Sequence, residues 1–206
     1  MSGLRLPPLP PTGGEITGRN VVDVLDEQHR ELVELCARWS AETGERRHTV
    51  AGVVVATLSR HLSAEEQYLY PAIRRTVPEG DLLADRELAE DHDLLRTLAE
   101  LNRAADDRSD ALIESDTLIE EVTAAVRRHV EADTSELLPL LTRMVPVEDL
   151  IRLGNRLETA VEAAPTRPHP ATPCTPPWNK IVDPVVAIVD KARDAMSGRI
   201  SYPGDL

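Results

Sequence analysis

Residues 61–82 recur at residues 129–150, sixty-eight positions later, and this duplication constrains the fold more than any other feature. His61 maps onto His129, Glu65 onto Asp133, Leu69 onto Leu137 and Pro71 onto Pro139. Val77-Pro78 maps onto Val145-Pro146, and Asp81-Leu82 onto Asp149-Leu150. Both copies read His-x3-acid-x5-Pro. A weaker echo at an offset of 63 relates Glu27-x-His29-x2-Leu32-x2-Leu35 to Glu90-x-His92-x2-Leu95-x2-Leu98. A chain built this way is two like halves.

Each half reads as a helical hairpin. Asn20 suits an N-cap, with Asp23 three residues on. Val21, Val24, Leu25, His29, Leu32, Leu35, Cys36 and Trp39 then recur at helical spacing up to Gly44. A second helix is expected from about Thr49, with Val53, Val54, Leu58, His61, Leu62, Glu65 and Leu69 on one face. Pro71 should kink or end it, because proline removes a backbone donor and clashes with the preceding turn. The third helix begins near Asp81, with Leu82, Leu88, His92, Leu95, Leu98 and Leu101 as its apolar side. The fourth runs from about Asp110 through Val122, Val126, His129 and Asp133, and a fifth starts near Pro146. No period-two alternation survives, so the class is all-α. The expected architecture is an up-down-up-down four-helix bundle with an additional fifth helix.

The flanks differ. Residues 1–19 read as a disordered Pro-rich leader and 20–164 as the bundle; 165–206 read as a Pro-rich linker and a C-terminal helix. Asp183 caps that short helix in this reading, with Pro184 in its first position and Gly198 past its end. The formal charge of −13 disfavours nucleic acid and anionic lipid as partners. No stretch reaches the ~20 apolar residues of a membrane span, and no secretory signal is evident, so a cytoplasmic location is expected. Cys36 and Cys174 match no metal or redox spacing, and Cys36 reads as inert core.

The polar residues on apolar faces carry the chemistry. His61 with Glu65, and His129 with Asp133, are four apart and so point the same way. His29 and His92 face inward beside them in the expected bundle. Four imidazoles and two bridging carboxylates would offer eight coordination bonds. A bridging oxide or hydroxide would raise that to ten of the twelve wanted by two octahedral ions. Each histidine alone reads equally as a hydrogen-bonded core residue. The conjunction favours a metal pair, because carboxylates buried without a cation cost several kcal/mol.

The motifs EQH at 27–29, HLSAEEQYLYP at 61–71, EDH at 90–92 and HVEADTSELLP at 129–139 resemble the hemerythrin-like family of HHE cation-binding domains. The resemblance covers roughly residues 20 to 160. It implies a four-helix bundle with a non-haem di-iron site, oxo- or hydroxo-bridged, though manganese would suit the same donors. Terminal-ligand roles would fall to His29, His61, His92 and His129, and bridging roles to Glu65 and Asp133. Oxygen-carrying relatives have a further histidine one turn before the His92 match. Leu88 stands there, so the oxygen-carrier set is one ligand short. Tyr68 lies on the His61 face and Tyr70 nearly opposite unless Pro71 distorts the turn. Either phenol could fill the gap or pack at the bundle end. His48 and His169 are expected to be exposed.

The implied partner is a small oxidant: dioxygen, peroxide or nitric oxide. Alternatives are a peroxide-degrading or ferroxidase-like enzyme, and a sensor whose metal occupancy controls docking of the C-terminal helix. No hydrolytic nucleophile set and no phosphate-binding glycine loop competes.

Overall fold

The computed structural model describes residues 15–106, 115–169 and 178–206, and among them every regular element is a helix. In chain order these are α1 (Val21–Ala41), α2 (Gly44–Ala64), α3 (Tyr70–Thr76), α4 (Gly80–Asp106), α5 (Asp116–Ala132), α6 (Leu138–Met144), α7 (Val147–Ala163) and α8 (Trp178–Ser197). Five-residue π-helical turns, Glu65–Leu69 and Asp133–Leu137, join α2 to α3 and α5 to α6. The bundle is α1, α2, α4 and α5, each packed on its two ring neighbours, and α7 lies across the outside of α1 and α2. That is the expected four-helix bundle with an added helix.

Local chemistry sets the ends. Asn20 Oδ1 accepts from the backbone N–H of Val22 (2.8 Å) and Asp23 (3.1 Å), fixing the start of α1. The first connection is tighter than the sequence suggests. Glu42 and Thr43 alone separate α1 from α2, with Gly44 at φ 57°. Arg47 Nε donates to the Glu42 carbonyl (2.5 Å) just past the end of α1, satisfying one of its terminal acceptors. His48 therefore lies within α2 rather than in a loop. The start expected near Asp110 lies outside the described residues, and α5 begins at Asp116 with Ser115 as its N-cap.

The helices do not break at Pro71 and Pro139. Proline lacks an N–H and crowds the carbonyl four residues back. Widening the preceding turn to i→i+5 bonding, seen where the Tyr70 N–H donates to the Glu65 carbonyl, lets the chain pass through. The same device recurs at Leu138 and Asp133. The duplication thus reaches into the backbone.

Two apolar clusters fill the interior. One joins Val21, Leu25, Leu69, Ile73, Leu137, Leu141 and Leu153 at the end bearing α3, α6 and α7. The other joins Leu32, Trp39, Leu58, Leu98, Leu101, Ile119 and Val126 at the opposite end. A polar layer lies between them. α7 approaches so closely that a Cβ on Gly154 would fall 2.3 Å from the Arg19 carbonyl. Before α1, the Asn155 side chain donates to the carbonyls of Glu15 (3.0 Å) and Thr17 (3.1 Å).

The C-terminal helix starts at Trp178, so Pro184 is its seventh residue rather than its first. One missing N–H forfeits a single hydrogen bond, which a twenty-residue helix tolerates. Asp190 and Asp194 turn inward, where Asp194 takes Thr166 Oγ1 (2.6 Å) and Arg167 (2.9 Å). His169 is half-buried and pairs with Asp190 at 3.0 Å, so it caps this junction and not the polar layer. The following segment lies on α2, with Arg60 donating to the Ser201 carbonyl (3.0 Å) and stacking under Tyr202. The leader up to residue 14, residues 170–177 of the linker, and Cys174 lie outside the described residues.

Candidate metal centre

The polar layer draws on α1, α2, α5 and the two π turns. His29, His61 and His129 meet with ring centroids 5.1 to 5.7 Å apart and planes nearly perpendicular. Glu65 and Asp133 begin the π turns and are wholly buried. Glu65 Oε1 lies 3.3 Å from His61 Nε2, and its Oε2 lies 3.2 Å from His129 Nε2. Asp133 Oδ2 lies 3.4 Å from His29 Nε2. Donor atoms of His29, His61, Glu65 and His129 all fall within 4.8 Å of one another. Five of the six residues expected from the sequence therefore converge.

His92 does not join them. Its side chain is 38% exposed, with Nε2 4.0 Å from Glu66 on the outer side of the layer. The reason is register. The buried face of α4 is Ala84, Glu87, Asp91, Leu94, Leu98 and Leu101. Set against Leu25, His29, Leu32, Cys36 and Trp39 of α1, that face repeats at an offset of 62, not 63. One residue turns a helix by about 100°, so Asp91 occupies the place matching His29. Leu88, for the same reason, is only partly buried.

Three residues that sequence reasoning did not single out, Gln28, Glu87 and Asp91, surround the cluster, together with Tyr70, which it weighed as a candidate for the open position. Asp91 Oδ1 stands 3.1 Å from His129 Nδ1, and its Oδ2 accepts the Tyr70 hydroxyl at 2.5 Å. Gln28 Oε1 stands 2.8 Å from His61 Nδ1, so each of the two duplicated histidines has its outer nitrogen against a side-chain oxygen. Glu87 is buried and takes Arg86 at 2.7 Å. Spacing alone could have found both acids, since stepping back from Leu101, Leu98 and Leu94 at helical intervals reaches Asp91 and Glu87. Tyr70 was hidden by the π turn. A straight helix would place it opposite His61, whereas the extra residue in the turn brings its hydroxyl within 3.4 Å of Glu65. Tyr68 packs against the apolar cluster instead.

Burial and neighbouring charges shift the acidity of these groups in opposite directions. Burial, with His29 and His129 alongside, holds the His61 ring well below its ordinary range. Burial, then the neighbouring Asp133, pushes Glu65 well above the usual carboxylate range. Burial opposes a charge on His129, but the carboxylates of Glu65 and Asp91 outweigh it and raise that ring. Asp133 is desolvated too, yet His29 and His129 pull it below its usual value.

The donor set fits a metal. Both ring nitrogens of His29, Glu65 Oε1 and both oxygens of Asp133 are buried without a hydrogen bond. Orphaned donors of this kind cost about 1–3 kcal/mol each, and more when charged. Imidazole nitrogen with carboxylate oxygen is the set that suits first-row transition ions. Fold and donors together define a helical-bundle metal-binding domain.

The comparisons narrow the class. The profile of the hemerythrin HHE cation-binding domain matches residues 20–141, and the chain belongs to that family. It is 24% identical over 140 residues to an uncharacterized hemerythrin-like protein of Schizosaccharomyces pombe, spanning 68% of this chain and 67% of that one. No solved structure matches it significantly. Among the described residues, no helix is long and apolar enough to cross a membrane.

Proposed function

We propose that this is a non-haem iron protein whose centre holds two ions and binds or reduces a small oxidant: dioxygen, peroxide or nitric oxide. The observation that supports it is the set of five buried residues, three imidazoles and two carboxylates, in which both His29 nitrogens, Glu65 Oε1 and both Asp133 oxygens have no hydrogen-bond partner. Iron, when bound, supplies reversible one-electron chemistry, and manganese would be held by the same donors.

This chain's residues set what such a centre can do. With His92 outside, three imidazoles and two bridging carboxylates would give seven coordination bonds instead of eight. More positions are left to water and oxidant than in the sequence-based set. Leucine, valine and isoleucine above and below the layer exclude bulk water while admitting a diatomic. Gln28 holds the outer nitrogen of His61 and Asp91 faces that of His129 at 3.1 Å, leaving the inner nitrogens turned to the centre.

Reduction, and with it a peroxide-degrading or ferroxidase-like activity, draws support from Tyr70. Its hydroxyl keeps a proton 3.4 Å from Glu65, and burial beside Asp91 and Glu65 raises it well above the phenol range. The test is iron per chain after anaerobic loading, read with oxo-to-iron charge-transfer absorption on exposure to oxygen or peroxide. About two irons per chain with that absorption is expected, and less than one would end the reading. Oxygen evolution from peroxide separates turnover from passive binding.

A further inference from the structure

A cleft of about 200 Å³ opens between α4 and α5, and its inner wall includes Asp91 and His129. It runs from the molecular surface in to His129, one of the candidate ligands. Glu90, Asp93 and Glu121 line it towards the outside, with Arg128 as the one lysine or arginine among the described residues that line it. Asp93 is paired with Arg96, so Glu90 and Glu121 dominate the outer charge. At the floor, His129 is 4% exposed and its Nδ1 makes no aligned hydrogen bond, while Asp91 is 1% exposed. The cleft persists because Thr97 and Ala125 are small where the helices would otherwise meet.

We infer that this cleft is the route by which a small divalent cation reaches the centre, with Glu90 and Glu121 collecting it and Asp91 receiving it at the floor. The inference rests on the centre binding metal. Carboxylates lining a low-dielectric channel concentrate cations and raise their association rate by roughly 10- to 1000-fold. The same field disfavours anionic oxidants and is indifferent to a neutral diatomic. Such a route affects how fast the ion arrives, not how many are held.

The experiment is anaerobic uptake of ferrous iron by metal-free full-length protein, timed by stopped flow against a colorimetric ferrous chelator. The doubly substituted Glu90→Gln, Glu121→Gln protein changes two exposed side chains. It should load about 3- to 10-fold more slowly at low ionic strength, with the deficit shrinking in salt and final iron content unchanged. A control with the same loss of charge on α1, Glu31→Gln with Glu34→Gln, should load at the wild-type rate. Thr97→Trp, which fills the cleft, should slow uptake at every ionic strength. Wild-type rates in both cleft variants, or equal slowing in the control, would overturn the route while leaving the metal reading intact. Wild-type protein that takes up no iron would overturn both.

Discussion

The Tyr70 hydroxyl donates to Asp91 Oδ2 at 2.5 Å, tying the first residue of α3 in the first hairpin to a bundle helix of the second. Asp91 also faces His129, so this bond fixes a carboxylate that touches a candidate ligand. Tyr70→Phe removes the hydroxyl and little volume. It should cost about 1–3 kcal/mol, the penalty for leaving a buried acceptor short of a donor. Thermal unfolding checks this, and iron content should stay at the wild-type level. A variant losing its iron would place Tyr70 among the ligands instead.

His29 and His92 make opposite predictions although the sequence pairs them. His29 is buried against Asp133, whereas His92 is on the outer side of its helix. His29→Ala should lower bound iron by about half or more, and His92→Ala should leave it unchanged. Metal analysis after identical loading and desalting decides it. Equal losses in the two variants would mean that α4 turns when metal binds.

That pair marks the limit of what the sequence could reveal. The duplicated His-x3-acid-x5-Pro unit carried the bundle, and with it His61, Glu65, His129 and Asp133, because same-face spacing survives any small rotation of the helix. His92 failed because its placement relied on a motif echo at 63, while burial on α4 follows 62. One residue of register is invisible to motif matching, yet it moves a side chain by a quarter-turn. Leu94, Leu98 and Leu101 held the correction, since they extend back to Asp91 and Glu87 and not to His92. The π turns were beyond periodicity arguments. Pro71 was expected to kink or end the helix, and the backbone widens by one residue instead, carrying Tyr70 inward. The C-terminal helix was mis-started because Pro184 looked like a first-turn residue when it is an interior one.

Metal should contribute a large part of the stability. Glu65 and Asp133 are wholly buried side by side, an arrangement that a cation offsets and an empty centre does not. Saturating iron at a hundred times its dissociation constant would add about 2.7 kcal/mol. Chelation should accordingly lower the melting temperature by several degrees, and reloading should restore it. Glu65→Gln removes a carboxyl whose ionisation burial and Asp133 oppose. The metal-free variant should melt at or above metal-free wild type, and iron should raise its melting temperature much less. Calorimetry with and without chelator tests both signs. A metal-free variant far less stable than wild type would show that Glu65 holds the bundle together without a cation.

Cys36 tests the second apolar cluster by its acidity. It is 1% exposed between Leu32 and Trp39, and burial pushes its thiol from 9.0 up to about 11. Alkylation needs the thiolate, so in a Cys174→Ser background the folded protein should resist iodoacetamide at pH 8 and label readily in denaturant. The same shift links acidity to folding. A raised pKa keeps the proton on in the folded state, so its stabilising effect is full below pH 9 and lost as pH climbs through 11. Two units correspond to on the order of 2–3 kcal/mol. Denaturant unfolding between pH 8.5 and 11 should fall more steeply for this protein than for Cys36→Ala. Parallel profiles, or rapid native labelling at pH 8, would mean that the thiol is open to water.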